Sequence, residues 1–177
     1  MQSIFYGMLL SFFDLNFSIG DSKIGLIPDF LGYILMLKGV RELAIESDHF
    51  TKVKSYIKLM VVYTLYLYTM GLLGISGQIN EIFNIMLAIT FAIISLYITY
   101  NIVMGIADIE ERYKYNLKSE MLYSLWKAHA IFTILTYIAA FIPVLVFIII
   151  IGFIVNIYFI VQFHNSKNLY YELKLNN

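Results

Sequence analysis

The chain has 177 residues, of which 60% belong to the hydrophobic set and 14% are charged, and its mean hydropathy is +0.78. Soluble domains are about 45–50% apolar and about 25% charged, and a chain of this length cannot hide such an excess inside one core. Twelve basic residues balance twelve acidic ones, so no net charge attracts nucleic acid. The absence of cysteine excludes disulfides, thiolate metal sites and cysteine nucleophiles. The composition predicts an integral membrane protein.

Apolar runs along the chain predict the membrane-spanning helices, each of which requires about 20 mostly apolar residues. The sequence contains six such runs: Ser3–Ile19, Ile24–Ile45, Leu59–Ile75, Ile82–Ile106, Met121–Phe141 and Pro143–Phe163. Charged residues such as Asp14, Asp29 and Lys38 interrupt the first two runs. We therefore predict an all-α membrane protein, a single domain over residues 1–177 built as a bundle of six transmembrane helices. The alternative is four transmembrane helices plus an N-terminal re-entrant helical hairpin.

The basic residues predict the orientation of the bundle. If both termini are cytoplasmic, eleven of the twelve basic residues lie on the cytoplasmic side, as the positive-inside rule requires. The exception is Lys23, between the first two runs. The stretch Glu46–Lys58 alternates charged with apolar residues and is predicted to continue the second or third helix along the cytoplasmic interface.

Two carboxylates near the turn between the first two runs form the candidate site. Asp14 and Asp29 are equally distant from a turn at residues 21–22, which predicts similar depths below the outer surface. A carboxylate in a membrane segment is costly and is a candidate functional group. With Asn16 and Tyr33, the two aspartates form a hypothetical outward-facing site for a cation or an amine-bearing ligand. The alternative is a capped structural hairpin with one local salt bridge.

The same region carries a resemblance to a protein family. Phe12-Phe13-Asp14, a polar turn and then Ile27-Pro-Asp-Phe-Leu-Gly-Tyr33 resemble a group of uncharacterised small integral membrane proteins of Gram-positive, clostridia-like bacteria. The resemblance covers about residues 12–43. It implies a multi-pass protein of the bacterial plasma membrane with four to six spans, and it implies no activity.

The remaining motifs do not predict an enzyme. Gly74-Ile-Ser-Gly77 matches the serine motif of rhomboid-like proteases, but the predicted topology places His129 on the opposite side of the bilayer from Ser76. His129 is predicted to form an interhelical hydrogen bond instead, and the charged run Glu110–Arg112 is predicted to be a solvated loop. The three histidines lie in separate segments, so the sequence predicts neither a metal site nor a cofactor.

These observations favour a non-catalytic binding or accessory subunit whose partners are the lipid bilayer and other membrane-protein subunits. The alternative is a solute-binding transporter component that resembles the substrate-capture subunits of energy-coupling-factor transporters. Those subunits dock through an Ala-x-x-x-Ala pattern in their first helix, where this chain has only Gly7-x-x-x-Ser11. A more remote alternative is an intramembrane enzyme that uses Asp14 and Asp29 as an acid–base pair.

Overall fold

Six helices and one short hairpin make up the part of the chain that the structure, a computed structural model, describes: residues 1–12, 16–19, 22–25, 28–74, 81–139 and 146–175. In chain order the elements are α1 (Gln2–Phe12), β1 (Asn16–Ile19), β2 (Ser22–Gly25), α2 (Asp29–Leu43), α3 (Asp48–Leu72), α4 (Glu81–Tyr113), α5 (Ser119–Ala139) and α6 (Val146–Leu175). The predicted all-α class is therefore confirmed, with one helix for each predicted run. Two of these helices, α4 and α6, are long and apolar enough to cross a membrane.

The first two runs differ from their predicted boundaries. The prediction of a helix through Ile19 was wrong, because α1 ends at Phe12 and Asn16–Ile19 is a strand that pairs antiparallel with Ser22–Gly25. The second helix begins at Asp29 rather than at Ile24. Pro28 precedes it in an extended conformation with φ −66° and ψ 126°. Since a proline disfavours helical geometry in the residue before it, the helix cannot begin much earlier.

Three helices are longer than their apolar runs. Helix α3 begins at Asp48, where the Ser47 hydroxyl accepts a hydrogen bond from the His49 backbone N–H at 3.1 Å. This N-cap incorporates most of the predicted interfacial stretch into α3. Helices α4 and α6 continue past their apolar runs to Tyr113 and Leu175. At the other end of α3, Gly74 has φ 68°, a left-handed conformation that suits a residue just after a helix.

Successive helices pack side by side, and α1 packs against α6, so the six helices form a closed ring in chain order. Aromatic contacts mark the closure between α1 and α6: the Phe12 and Phe159 rings lie 6.2 Å apart, and the Phe5 and His164 rings lie 5.0 Å apart. Strand β2 packs against α3. The hairpin therefore lies at the end of the ring where α1 ends and α2 begins.

Across α3 to α6 the buried core is concentrated at one end of the ring. We call this the basic end, and it comprises residues 44–58, 98–130 and 162–175. Large side chains there are fully buried, among them Phe50, Ile57, Ile102, Ile106 and Phe163. Nearly all of the lysines and arginines in the sequence also belong to this end or to the adjoining second half of α2.

The other end of the same four helices exposes apolar side chains. This apolar belt comprises residues 59–72 of α3, 82–97 of α4, 131–138 of α5 and 147–161 of α6, and it contains no charged residue. Each of the four segments exposes large apolar side chains, for example Leu65 on α3, Phe83 on α4, Ile134 on α5 and Phe147 on α6. Isolated exposed apolar residues are ordinary on a soluble protein, but a continuous belt of this kind indicates an apolar environment.

Glycines set the very close contact between α1 and α2. A Cβ atom added at Gly7 would lie 2.5 Å from the Gly32 carbonyl oxygen and 2.7 Å from the Met36 backbone nitrogen. A Cβ added at Gly39 would lie 2.8 Å from the Ile4 backbone nitrogen. Because backbone atoms occupy these positions, the two helices can approach this closely only while the side chains are absent.

Candidate functional site

The predicted site at the hairpin end is described in part. Asp14 lies outside the described residues, and Asn16 is the first residue of β1, where it pairs with Gly25. Asp29 and Tyr33 both lie in the first two turns of α2. They are four residues apart and therefore share one face of the helix. Asp29 and Tyr33 thus share one helix face, whereas the predicted similar depth of Asp14 and Asp29 stays a prediction.

Tyr33 connects α2 to α4 inside the bundle. Its side chain is only 6% exposed, and its hydroxyl donates to the Ser95 hydroxyl at 3.4 Å. Next to this contact, the Tyr63 ring of α3 stacks on the Phe91 ring of α4 with a centroid distance of 3.3 Å. Sequence reasoning missed Ser95, because a serine 62 positions away along the chain gives no local signal. The Tyr33–Ser95 bond is therefore a polar contact between α2 and α4, within electrostatic range of the Asp29 carboxylate.

A second polar contact lies between α5 and α6. His129 is 8% exposed, and its Nδ1 forms a short hydrogen bond with the Asn156 side-chain oxygen. The interhelical bond predicted for His129 is therefore confirmed. Phe12 and Phe159 lie against the imidazole ring, with centroid distances of 5.2 Å and 6.0 Å. A groove of about 200 Å³ extends along α5 and α6 from this pair to Thr136 and Gly152.

At the basic end, Glu46 joins three parts of the chain. Its buried carboxylate accepts hydrogen bonds from the Tyr113 hydroxyl at 3.1 Å and from the Lys174 ammonium at 2.8 Å. Arg112 adds an ion pair at 3.5 Å. Burial acts to raise the pKa of Glu46, but the hydrogen bonds from Lys174 and Tyr113 and the nearby positive charges outweigh it, so the pKa is lowered. This carboxylate fastens the α2–α3 turn to the ends of α4 and α6.

The charged run at residues 110–112 also has a structural role. Glu110 accepts hydrogen bonds from the backbone N–H groups of Leu117 and Ser119, both at 2.9 Å. The prediction that this run is a solvated loop was wrong, because the run lies in the last turns of α4. Glu110 satisfies two backbone donors at the start of α5, where a negative charge is favourable.

A polar groove opens beside this network at the tip of the basic end. It has a volume of about 470 Å³ and is bordered by the α2–α3 turn and the last turns of α4. Its walls include Ser47 and Asp108, whose side chains are hydrogen-bonded to each other, together with Asp48 and Glu111. Ile45 lies at its edge with 85% of its surface exposed. An exposed isoleucine beside carboxylates suits recognition of a partner that carries both apolar and basic groups.

The sequence predicts neither a serine protease nor a metal site. Ser76, the serine of the protease-like motif, lies outside the described residues. Within the ranges that the structure describes, no three histidine, aspartate or glutamate side chains are close enough to hold a metal ion.

Comparison with known proteins gives no family to which these features can be assigned. The sequence matches no protein-family model, and neither the curated proteins nor the solved structures contain a significant match.

Proposed function

We propose that this chain is a multi-pass membrane protein that acts as a non-catalytic binding or accessory subunit. The apolar belt supports the membrane assignment, because it extends beyond α4 and α6 to the exposed faces of α3 and α5. At 1.5 Å per residue its segments on α3, α4 and α6 are roughly 20–24 Å long, which fills most of a hydrocarbon core of about 30 Å. Such a belt would be unstable in water and is stable in lipid.

The lengths of the first two helices favour the alternative arrangement of four spans plus an N-terminal hairpin. Helix α1 has 11 residues and α2 has 15, which correspond to roughly 16 Å and 22 Å. Neither length suffices to cross the hydrocarbon core alone. In the proposed arrangement α3–α6 cross the bilayer, and α1 and α2 enter it from the basic end and are connected by the hairpin.

The basic end is proposed to face the cytoplasm, with Gln2 and Leu175 on that side. The resemblance of residues 12–43 to small clostridia-like proteins further suggests the plasma membrane of a Gram-positive bacterium. Because the chain contains no cysteine, single cysteines introduced for labelling are unambiguous. We expect Lys114→Cys to react with a membrane-impermeant maleimide only after the cells are opened. Leu73→Cys, just beyond α3, should react in intact cells.

The single observation that carries the binding role is the polar groove at the basic end, with Ile45 exposed at its edge. The groove lies beyond the apolar belt, so a partner can reach it from the cytoplasm without entering the lipid. Its carboxylates outnumber its single arginine, Arg112. This charge favours a basic partner segment, and Ile45 offers that segment an apolar anchor.

The transporter alternative keeps one supporting observation, the Asp29 and Tyr33 pair on one face of α2. Another observation argues against its docking mode. Gly7 of the small-residue pattern in α1 lies against Gly32 and Met36 of α2, so this stripe is covered by the chain's own helix. A coupling subunit could not use the stripe without separating α1 from α2.

Partner capture tests the proposal. The protein is purified in mild detergent from its native host, and bound proteins are identified by mass spectrometry for the wild type, Ile45→Glu and Leu175→Glu. Leu175 is a matched control, since it is also 85% exposed at the same end but does not line the groove. We expect Ile45→Glu to lose a partner that Leu175→Glu retains. Equal capture by both variants would contradict the groove as the docking site.

The transporter alternative has its own test. It requires that Asp29→Asn abolish ligand uptake while the protein still folds. The accessory role instead predicts that Asp29→Asn alters only stability, with partner capture unchanged.

A further inference from the structure

The outer faces of α4 and α5 enclose an apolar groove inside the belt. The groove has a volume of about 300 Å³ and is lined by α4 residues that include Ile89, Ala92 and Ile93 and by α5 residues that include Ile134 and Ile138. Its lining is almost entirely apolar. The Tyr137 hydroxyl donates to the Ala88 carbonyl at 3.1 Å, which satisfies that polar group within the protein. The shape and chemistry suit a hydrocarbon chain.

A positive charge lies at the cytoplasmic end of this groove. Lys127 precedes Ile134 by seven residues and Ile138 by eleven, so the three side chains project from the same face of α5. At 1.5 Å per residue, the Lys127 Cα lies roughly 10 Å from the Ile134 Cα along the helix axis. Lys127 is exposed and makes no ion pair with any acidic residue among the described parts of the chain. Its ammonium group is therefore available to an external anion at the edge of the belt.

Two aromatic rings of α5 pack beside the Lys127 side chain. The Lys127 Nζ lies 4.9 Å from the centroid of the Tyr123 ring, which in turn stacks on Trp126 at 6.0 Å. The Trp126 Nε1–H donates to the Thr99 hydroxyl at 3.1 Å, which fastens α5 to α4. Tryptophan and tyrosine beside lysine are typical of the level at which lipid headgroups lie.

We propose that this groove is a binding site for an anionic phospholipid of the cytoplasmic leaflet. Its phosphate contacts Lys127, and one acyl chain lies between Ile93 and Ile134. The proposal rests on the membrane arrangement proposed above, and it adds a specific lipid and a specific position. A zwitterionic phospholipid can fill the groove equally well, but it carries no net charge for Lys127 to attract. Attraction of this kind is worth about a fivefold preference for each basic residue near the surface.

The sequence provides its own reporter, because Trp126 is its single tryptophan. The full chain is reconstituted into bilayers that contain phospholipids with brominated acyl chains, which quench nearby tryptophan fluorescence. Brominated phosphatidylglycerol and brominated phosphatidylcholine are compared by titration. We expect phosphatidylglycerol to compete about fivefold better for the site beside Trp126.

Three variants separate the contribution of the Lys127 charge from that of the apolar groove. Lys127→Gln should bring the preference close to one. Lys58→Gln is the matched control, since Lys58 is an exposed lysine at the edge of the belt on α3, which does not line the groove; it should keep the preference. Ala92→Leu, which fills the groove between the two helices, should reduce quenching by both lipids. Helicity and gel filtration establish that each variant is folded.

The outcomes are distinct. Equal quenching by the two lipids in the wild type overturns the anionic site while leaving the membrane arrangement intact. A preference for phosphatidylglycerol that persists in Lys127→Gln also overturns the anionic site. Unchanged quenching in Ala92→Leu overturns the placement of the acyl chain in the groove. If neither lipid quenches Trp126, the α4–α5 face does not contact lipid, and the membrane arrangement fails as well.

Discussion

Replacing Gly7 with alanine should weaken the contact between α1 and α2, and the structure gives the size of the effect. The new Cβ would lie 2.5 Å from the Gly32 carbonyl oxygen, whereas ordinary contact begins at 3.4 Å. Relief of this overlap requires the helices to separate by about 0.9 Å, because two of the three nearest atoms, the Gly32 carbonyl oxygen and the Met36 nitrogen, belong to the α2 backbone. Overpacking of this kind lowers the free energy of unfolding by about 1–3 kcal/mol. The higher helix propensity of alanine offsets about 1 kcal/mol of that loss.

Gly152→Ala is the matched control for this prediction. Its Cβ would meet only side-chain atoms, the nearest being the Phe132 Cβ at 3.3 Å. A shift of a few tenths of an ångström accommodates it, so the free energy of unfolding should stay within about 0.5 kcal/mol of the wild type. The difference between these two terms is a net destabilisation of about 0–2 kcal/mol for Gly7→Ala. Because the clash involves backbone atoms, we expect a value in the upper half of this range.

The assay is unfolding by sodium dodecyl sulfate in mixed micelles, followed by far-ultraviolet circular dichroism for both variants and the wild type. Equal midpoints for Gly7→Ala and Gly152→Ala would refute the reasoning, since the first clash involves backbone and the second does not. A larger loss for Gly152→Ala would place the tightest helix contact between α5 and α6 instead.

Three further substitutions test the polar contacts. Glu46→Gln should lower stability by about 1 kcal/mol near neutral pH, after allowance for solvent screening of the partly exposed Lys174. Because the pKa of Glu46 is lowered in the folded protein, its contribution is present above the ordinary glutamate pKa of about 4.3 and is lost as the pH falls through the lowered value. Thermal unfolding of both proteins across this pH range should therefore converge in acid, and a constant difference would contradict the assignment. Asn156→Leu removes the partner of His129 and should cost about 1 kcal/mol in the same detergent titration; no change would mean that the pair is energetically silent. Tyr33→Phe should cost less than about 1 kcal/mol, because its bond to Ser95 is long, and a loss comparable to a core deletion would indicate a second partner for the hydroxyl.

The number and order of the helices followed from hydropathy, since each apolar run is bounded by polar or turn-forming residues. Some helix boundaries carry a local signal in the sequence. Ser47 before Asp48 is a helix start, and Phe50, Val53 and Ile57 recur at helical spacing behind it. The short hairpin was missed because residues 16–19 extend an apolar run that resembles the rest of a helix.

The interhelical contact of His129 was predictable because a lone histidine inside an apolar run needs a hydrogen-bond partner on a neighbouring helix. Glu46 bonds to residues 67 and 128 positions away. No periodicity in the sequence connects such distant positions, so only the closed ring of helices brings them together. For the same reason Tyr33 was recognised as a site residue from its own segment, while its partner Ser95 was not.

The division of the bundle into a buried basic end and an exposed apolar belt has a thermodynamic consequence. Separation of the helices at the basic end transfers apolar surface into water, which carries a large heat-capacity change. In the proposed membrane arrangement, the same separation in the belt exchanges protein contacts for lipid contacts, so water has little part in it. The packing of a continuous helix such as α4 then depends on burial from water at the basic end and on contacts within lipid along the belt. Urea should therefore unfold the basic end while the apolar belt stays helical. A change in the lipid composition of the bilayer should instead alter the stability of the belt.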